Sequence, residues 1–271
     1  MTLGHVQLVG FSSIAVSAAV LAFLERVRPY NRGQRLFREG FWNDLLLYNL
    51  VQSYLLGAVI GQILGRLDAA TGLSRHGWLR GWPWLLQLAF FVVTHDLYIY
   101  VFHRWMHRSP MLWRIHEAHH SAGEVDWLSG VRSHAFEILI NQTVEFAPIV
   151  LLGAAPTIAV GKGVVSAVWG MFIHSNVDVR LGDLQRWING PEMHRWHHST
   201  ETDAQGTNFA TKLAIWDWWF GTAFLPDPRH RKASGYGLVG DGFPRGYLRQ
   251  QLHAFRRPDR SARAAPAAEP A

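Results

Sequence analysis

"WLLQLAFFVVTHDLYIYVFHRWMH", residues 84–107, begins as a membrane span and ends as a ligand pattern. Residues 84–102 are apolar in the main, interrupted at His95 and Asp96, and match the ~20 residues that cross a bilayer core. His103 and His107 then stand four apart, on one face of the same helix. Asp96, Tyr100, His103 and His107 fall at i, i+4, i+7 and i+11, a single stripe along it. An aspartate inside a membrane is costly unless it faces protein. Asp96 is therefore expected to point inward, where it orients a ligand or borders a substrate path, with a structural ion pair as the alternative. His95 lies about 12 Å deeper than His103 at ~1.5 Å per residue and off its face, and is expected to be packed or hydrogen-bonded.

Working outward, residues 6–24 and 45–64 form two further apolar runs of spanning length. The first is followed by a basic stretch, the reverse of a cleaved leader, and is expected to be retained. Residues 138–173 are apolar for nearly twice a span, broken by "GAAPT" at 153–157, and predict a helical hairpin that leaves and returns. Glu145, Pro148 and Lys162 make its two arms the least regular. The loop after the first run carries Arg26, Arg28, Arg32, Arg35 and Arg38, against Arg66, Arg75 and Arg80 after the second. Positive charge marks the cytoplasmic side, which places the first loop there and the end of residues 84–102 with it. A hairpin crosses twice, so the chain on either side of 138–173 lies on one membrane face.

The expected fold is an all-α integral membrane bundle of about four to five spanning helices with a cytoplasmic, histidine-rich helical cap. Residues 1–81 read as N-terminal spans and loops, 82–225 as a catalytic unit, and 226–271 as a basic, partly disordered tail. The tail holds nine Lys and Arg residues and ends in an Ala- and Pro-rich stretch of the kind that stays disordered. Its charge suits anionic headgroups; with no recognition motif beside it, no nucleic acid is expected as partner. The 13 tryptophans agree with a membrane setting, since Trp gathers at bilayer interfaces. There is no cysteine, which excludes disulfides, thiolate zinc sites and cysteine-held iron–sulfur clusters.

Any metal must then rest on histidine and carboxylate. His116, His119 and His120 sit at i, i+3 and i+4, and His194, His197 and His198 repeat that spacing. Eight imidazoles gathered on one side of a membrane would repel one another if protonated and strand ring nitrogens if neutral; metal ions resolve both difficulties. Zinc closes at four ligands and an octahedral ion at six, so two ions are implied. His134 and His174 stand at the two mouths of the hairpin and are expected to join the set. Glu117, Glu137 and Asp217 are candidate acceptors for the outer N–H groups of ligating rings.

Together "DLYIYVFHRWMH" (96–107), "LWRIHEAHHS" (112–121), "VRSHAFE" (131–137), "MFIHSNV" (171–177), "PEMHRWHHS" (191–199), "TNFA" (207–210) and "IWDWWFGT" (215–222) resemble the fatty acid hydroxylase and sterol desaturase superfamily of membrane non-haem di-iron enzymes. Its HxxxH box falls on His103 and His107, and its two HxxHH boxes on His116, His119, His120 and His194, His197, His198. The chain departs from better-known members at Gly170, where they carry a histidine four residues before the position of His174; His134 is the residue expected to compensate. The resemblance implies two Fe ions (zinc being possible in purified protein), O2 as co-substrate, and hydroxylation or desaturation of a lipid C–H bond. It also implies a separate electron donor: a ferredoxin, a cytochrome b5-like protein or a flavin reductase. Arginine far exceeds lysine and the chain is compact, which suggests a bacterial inner membrane with the boxes facing the cytoplasm. The competing readings are a zinc-dependent membrane hydrolase, for which Glu117 would be the base, and a non-catalytic metal-binding membrane protein.

Overall fold

A computed structural model describes residues 2–227, 231–240 and 242–256. Among these the regular structure is helical throughout, without a named strand. Four helices are long and apolar enough to cross a membrane: α1 (Leu3–Val27), α2 (Asn43–Thr71), α3 (Trp84–Arg108) and α6 (Pro156–His174). Shorter helices are α4 (Pro110–His120), α5 (Ala135–Leu151), α7 (Pro191–His197), α8 (Ile215–Trp219) and α9 (Tyr247–His253). The first turns of α2, Asn43–Gln52, are wound as a π-helix with Asp44, Tyr48 and Gln52 buried.

The hairpin breaks where the Gly and Pro of 153–157 stand: α5 ends at Leu151, and Pro156 opens α6, as suits a residue with no N–H to offer. With 17 residues α5 is about 26 Å long, a little short of the ~30 Å hydrocarbon core. Leu79, Phe91 of α3, Ile149 of α5 and Ile158 of α6 form one buried cluster at the far end of the hairpin. α1 packs along α6, and α2 along α5. At Gly10 a Cβ would stand 3.0 Å from Val160, the close approach that small residues permit between membrane helices.

The two charges that make the hairpin irregular pair with each other. Lys162 Nζ donates to Glu145, to Ser166 Oγ at 2.8 Å and to His95 Nδ1 at 3.1 Å. A buried charge needs such partners, and His95 is engaged here as a hydrogen-bonded residue away from the other histidines.

On the opposite side α3 turns sharply at Ser109, whose hydroxyl accepts from Leu112 N, and Pro110 starts α4. The hairpin therefore leaves from, and returns to, the level of α4 and α7. A buried set of charges braces this level: Arg132 clamps Asp44 through Nε at 2.8 Å and Nη2 at 2.9 Å, and Arg38 joins Asp44 to Asp126 at 2.8 and 2.9 Å. The described part of segment 226–271 lies against this body: Tyr48 Oη donates to Gln250 at 2.8 Å, and Arg256 meets Glu117 at 3.0 Å. The Ala- and Pro-rich end, read above as disordered, lies outside the described residues.

Candidate metal centre

α3, α4, α6 and α7 each deliver histidines to one buried volume, and the imidazoles divide into two groups. His103, His107, His116, His120 and His197 form the first; His119, His174, His194 and His198 form the second. Within each group one ring nitrogen per residue lies within 4.8 Å of all the others. The i, i+4 pair of α3 stays together in the first group, whereas the i, i+3, i+4 sets of α4 and α7 are split: His116 and His120 go to the first with His197, His119 to the second with His194 and His198. The groups abut, with the His120 and His198 rings 4.5 Å apart. Eight of the nine are 8% exposed or less, and His107 is half-buried.

The outer nitrogens show which way these rings present their lone pairs. His103 Nδ1 donates to Phe209 O, His197 Nδ1 to Thr207 O and His174 Nδ1 to Gly170 O, each at 2.7 Å; His119 Nδ1 lies 3.3 Å from Arg132 O. A backbone carbonyl can only accept, so each of these rings carries its proton outward and turns Nε2 inward as a lone pair. In the second group such nitrogens crowd together: His174 Nε2 is 3.2 Å from that of His119, 3.0 Å from His194 and 3.2 Å from His198. In the first, Nε2 of His103, His107, His116, His120 and His197 is buried and without a partner. Converging, unprotonated, unpartnered nitrogens are repulsive unless a cation lies among them, and imidazole suits iron and zinc alike. Burial, reinforced by the neighbouring rings, holds His116, His120, His194 and His198 well below the usual histidine range. They are therefore neutral, the form that ligates.

Glu137 adds a fifth outer contact, its Oε1 lying 3.1 Å from His116 Nδ1. Replacing it with Gln weakens this orientation. The expected result is a ~10–100-fold loss of metal affinity with the fold retained, read by titrating the metal out with a chelator.

His134 is a correction to the expected ligand set. It precedes α5, its Nδ1 accepts from Phe136 N at 3.1 Å and its Nε2 contacts Gln251 O at 2.9 Å. Both ring nitrogens are used as a helix cap and a tether, so it does not compensate for Gly170. Gly170 instead contributes its carbonyl to His174. Glu117 pairs with Arg256, and among the described residues none of the nine clustered imidazoles is hydrogen-bonded to it. Asp217 accepts from Phe209 N at 2.8 Å, Ala210 N at 2.9 Å and Thr222 Oγ1 at 2.7 Å. It thereby fixes the loop whose Phe209 carbonyl holds His103.

Asp96 is fully buried and works on the same loop. It accepts from Thr211 Oγ1 at 2.7 Å, Lys212 N at 2.9 Å, Leu213 N at 2.8 Å and Trp216 Nε1 at 3.1 Å, with Lys212 Nζ 3.8 Å away. No imidazole is among these partners, and the contact with the Lys212 ammonium fits the ion-pair alternative.

Gly130 is a site residue the sequence did not disclose. A Cβ there would stand 2.6 Å from His174 Nδ1. Gly130→Ala is expected to push the His174 ring off Gly170 O and lower the metal content of the second group alone. Metal analysis of the purified variant checks this, and unchanged content would show that the ring has room to give.

The family described as fatty acid hydroxylase matches residues 88–222, a range that holds all nine clustered histidines. Ornithine lipid hydroxylase OlsE of Rhizobium tropici is 30% identical over 261 residues, covering 94% of this chain and 78% of that protein. Alkylglycerol monooxygenase of Homo sapiens is 30% identical over 140 residues, 52% of this chain but 31% of that protein. Delta(7)-sterol 5(6)-desaturase ERG3B of Gibberella zeae is 23% identical over 158 residues, 58% of this chain and 48% of that protein. No solved structure matches the chain.

Proposed function

The chain belongs to the fatty acid hydroxylase family, and from that membership and the paired histidine groups we propose a membrane-bound di-iron oxygenase that hydroxylates a C–H bond of a membrane lipid. The relatives are named hydroxylases, monooxygenases and desaturases, and the chain is an oxidoreductase. Hydroxylation is favoured over desaturation because the relative aligned along 94% of the chain is named a lipid hydroxylase. The observation that carries the metal reading is the nine inward nitrogens, five in one group and four in the other. Five exceeds the four at which zinc usually closes. An octahedral ion accepts both counts and keeps open positions.

Two irons held there would supply O2 activation and hydrogen abstraction. The protein's part is to hold and shield. Carbonyls of Phe209, Thr207, Gly170 and Arg132 lock four rings, Glu137 orients a fifth, and burial keeps bulk water away from the centre. The zinc hydrolase reading wants a carboxylate base; Glu137 is engaged by His116 and Glu117 by Arg256, which leaves neither in that role. Residues 82–225 would be the catalytic unit, in a bacterial inner membrane with the histidines facing the cytoplasm. Electrons would come from a ferredoxin, a cytochrome b5-like protein or a flavin reductase.

The test is expression of the chain and of a His197→Ala variant in a host supplied with isotopically labelled O2, followed by mass spectrometry of the extracted lipids. The expected result is one labelled oxygen in a lipid made only with the unaltered chain. A new lipid whose added oxygen comes from water would overturn the oxygenase reading.

A further inference from the structure

Helix α9 is built inside out. Its uncharged polar side chains Tyr247, Gln250 and Gln251 face the protein: Tyr247 Oη donates to Gln52 at 2.8 Å, Gln250 accepts from Tyr48, and Gln251 Oε1 accepts from Ala135 N at 2.8 Å. Its apolar ones face away, Leu248 being 71% exposed, Leu252 68% and, just past its end, Phe255 62%. A helix bathed in water places these classes the other way round. The arrangement is favourable where the surroundings are apolar.

The attachments of α9 fix its level. Gln251 binds the first residue of α5, Phe255 packs edge-on against Phe136 with ring centroids 5.9 Å apart, and Tyr247 N donates to Asn43 Oδ1 at the first residue of α2. α9 therefore lies where α2 and α5 begin, and its outer face continues the exposed apolar surface that Leu46, Phe136 and Ile140 present on those helices. Arg249 on the helix, Arg245 just before it and Arg256 just after it are exposed beside the Leu248, Leu252 and Phe255 stripe, Arg245 also pairing with Glu39 at 2.7 Å and Arg256 with Glu117 at 3.0 Å. Apolar residues on one face with arginines along its border make the pattern of a helix that lies in a bilayer interface, and arginine pairs with anionic headgroups.

We propose that α9 is an interfacial helix, its Leu248, Leu252 and the following Phe255 immersed in the leaflet on the side of the histidine groups, with Arg249 and the preceding Arg245 at the level of anionic phospholipid headgroups. The helix thereby ties the start of α5, and with it Glu137 two residues on, to the membrane surface. Neither the metal nor the reaction enters this inference, so it stands or falls separately from the oxygenase reading.

The chain has no cysteine, so Leu252→Cys gives a unique attachment point for a nitroxide spin label in the full protein. The label is measured by power-saturation EPR in nanodiscs of phosphatidylcholine and phosphatidylglycerol, with molecular oxygen and a water-soluble nickel chelate as relaxants. A label at Gln205→Cys, on an exposed loop, serves as the reference. The expected result is a Leu252 label reached by oxygen and lost to nickel, and a return of nickel access when Arg245 and Arg249 are both changed to Gln. A Leu252 label open to nickel in these discs would overturn the proposal. Spin–spin coupling between labels on two chains would overturn it also, since a second copy would then cover the face.

Discussion

Replacing His197 with Ala is expected to remove one bound ion, leave the other and reduce lipid product to background. Its ring belongs to the group of five, and with its Nδ1 held by Thr207 O its Nε2 is the nitrogen turned toward the ion. His119→Ala is the counterpart, since His119 lies in the four-membered group with His174, His194 and His198. Loss of an outer partner alone typically weakens a site ~10–100-fold, so loss of a ligand in either group is expected to exceed that. Both variants should still insert, because α1, α2, α3 and α6 owe their spans to apolar length rather than to the metal. Elemental analysis of each purified variant, alongside product formation in membranes, reads the result. Full turnover in either would take that histidine out of the ligand set. Loss of both ions from both variants would mean that the two groups do not bind independently.

Asp96→Ala is expected to be the most damaging change outside the histidines. Four donors converge on its carboxylate from Thr211, Lys212, Leu213 and Trp216, and all would lose their acceptor in a buried place. Stripping a buried charged partner from its network costs about 3–5 kcal/mol, a large fraction of a typical stability. The loop released also carries Phe209, whose carbonyl locks His103, so weakened metal binding should accompany the lower thermal midpoint. Asp96→Asn keeps an acceptor oxygen and is expected to lose less of both. Thermal unfolding in detergent, with and without added iron, distinguishes the two variants. A stability equal to that of the unaltered chain would show that the loop is held by other contacts.

Helix positions and the histidine spacings were legible because they depend on short-range periodicity. Apolar runs of spanning length, the Gly and Pro break before α6, and the i, i+3, i+4 sets all follow from local pattern, and the structure brings nine of the ten expected histidines together. His134 misled because proximity to the hairpin mouth does not say where a ring points; a preference for capping α5 and tethering Gln251 decided it. The distribution of the nine between two groups was hidden, since neighbours in sequence such as His119 and His120 diverge to different groups by the turn of the helix. The acceptors of Phe209, Thr207, Gly170 and Arg132 are backbone carbonyls, which carry no residue signature. Asp96 drew attention correctly as a buried membrane charge, but its partners lie more than a hundred residues along the chain. The inverted face of α9 could be seen only once its inner contacts were known.

The central claim is that nine imidazoles hold two neighbouring irons. Mössbauer spectroscopy of protein purified anaerobically from cells grown on isotopically enriched iron, with the metal counted on the same sample, tests it most directly. The expected result is about two irons per chain, as the two groups require, with spectra of a magnetically coupled pair after exposure to O2. Zinc alone, or a single uncoupled iron per chain under iron-replete growth, would contradict it.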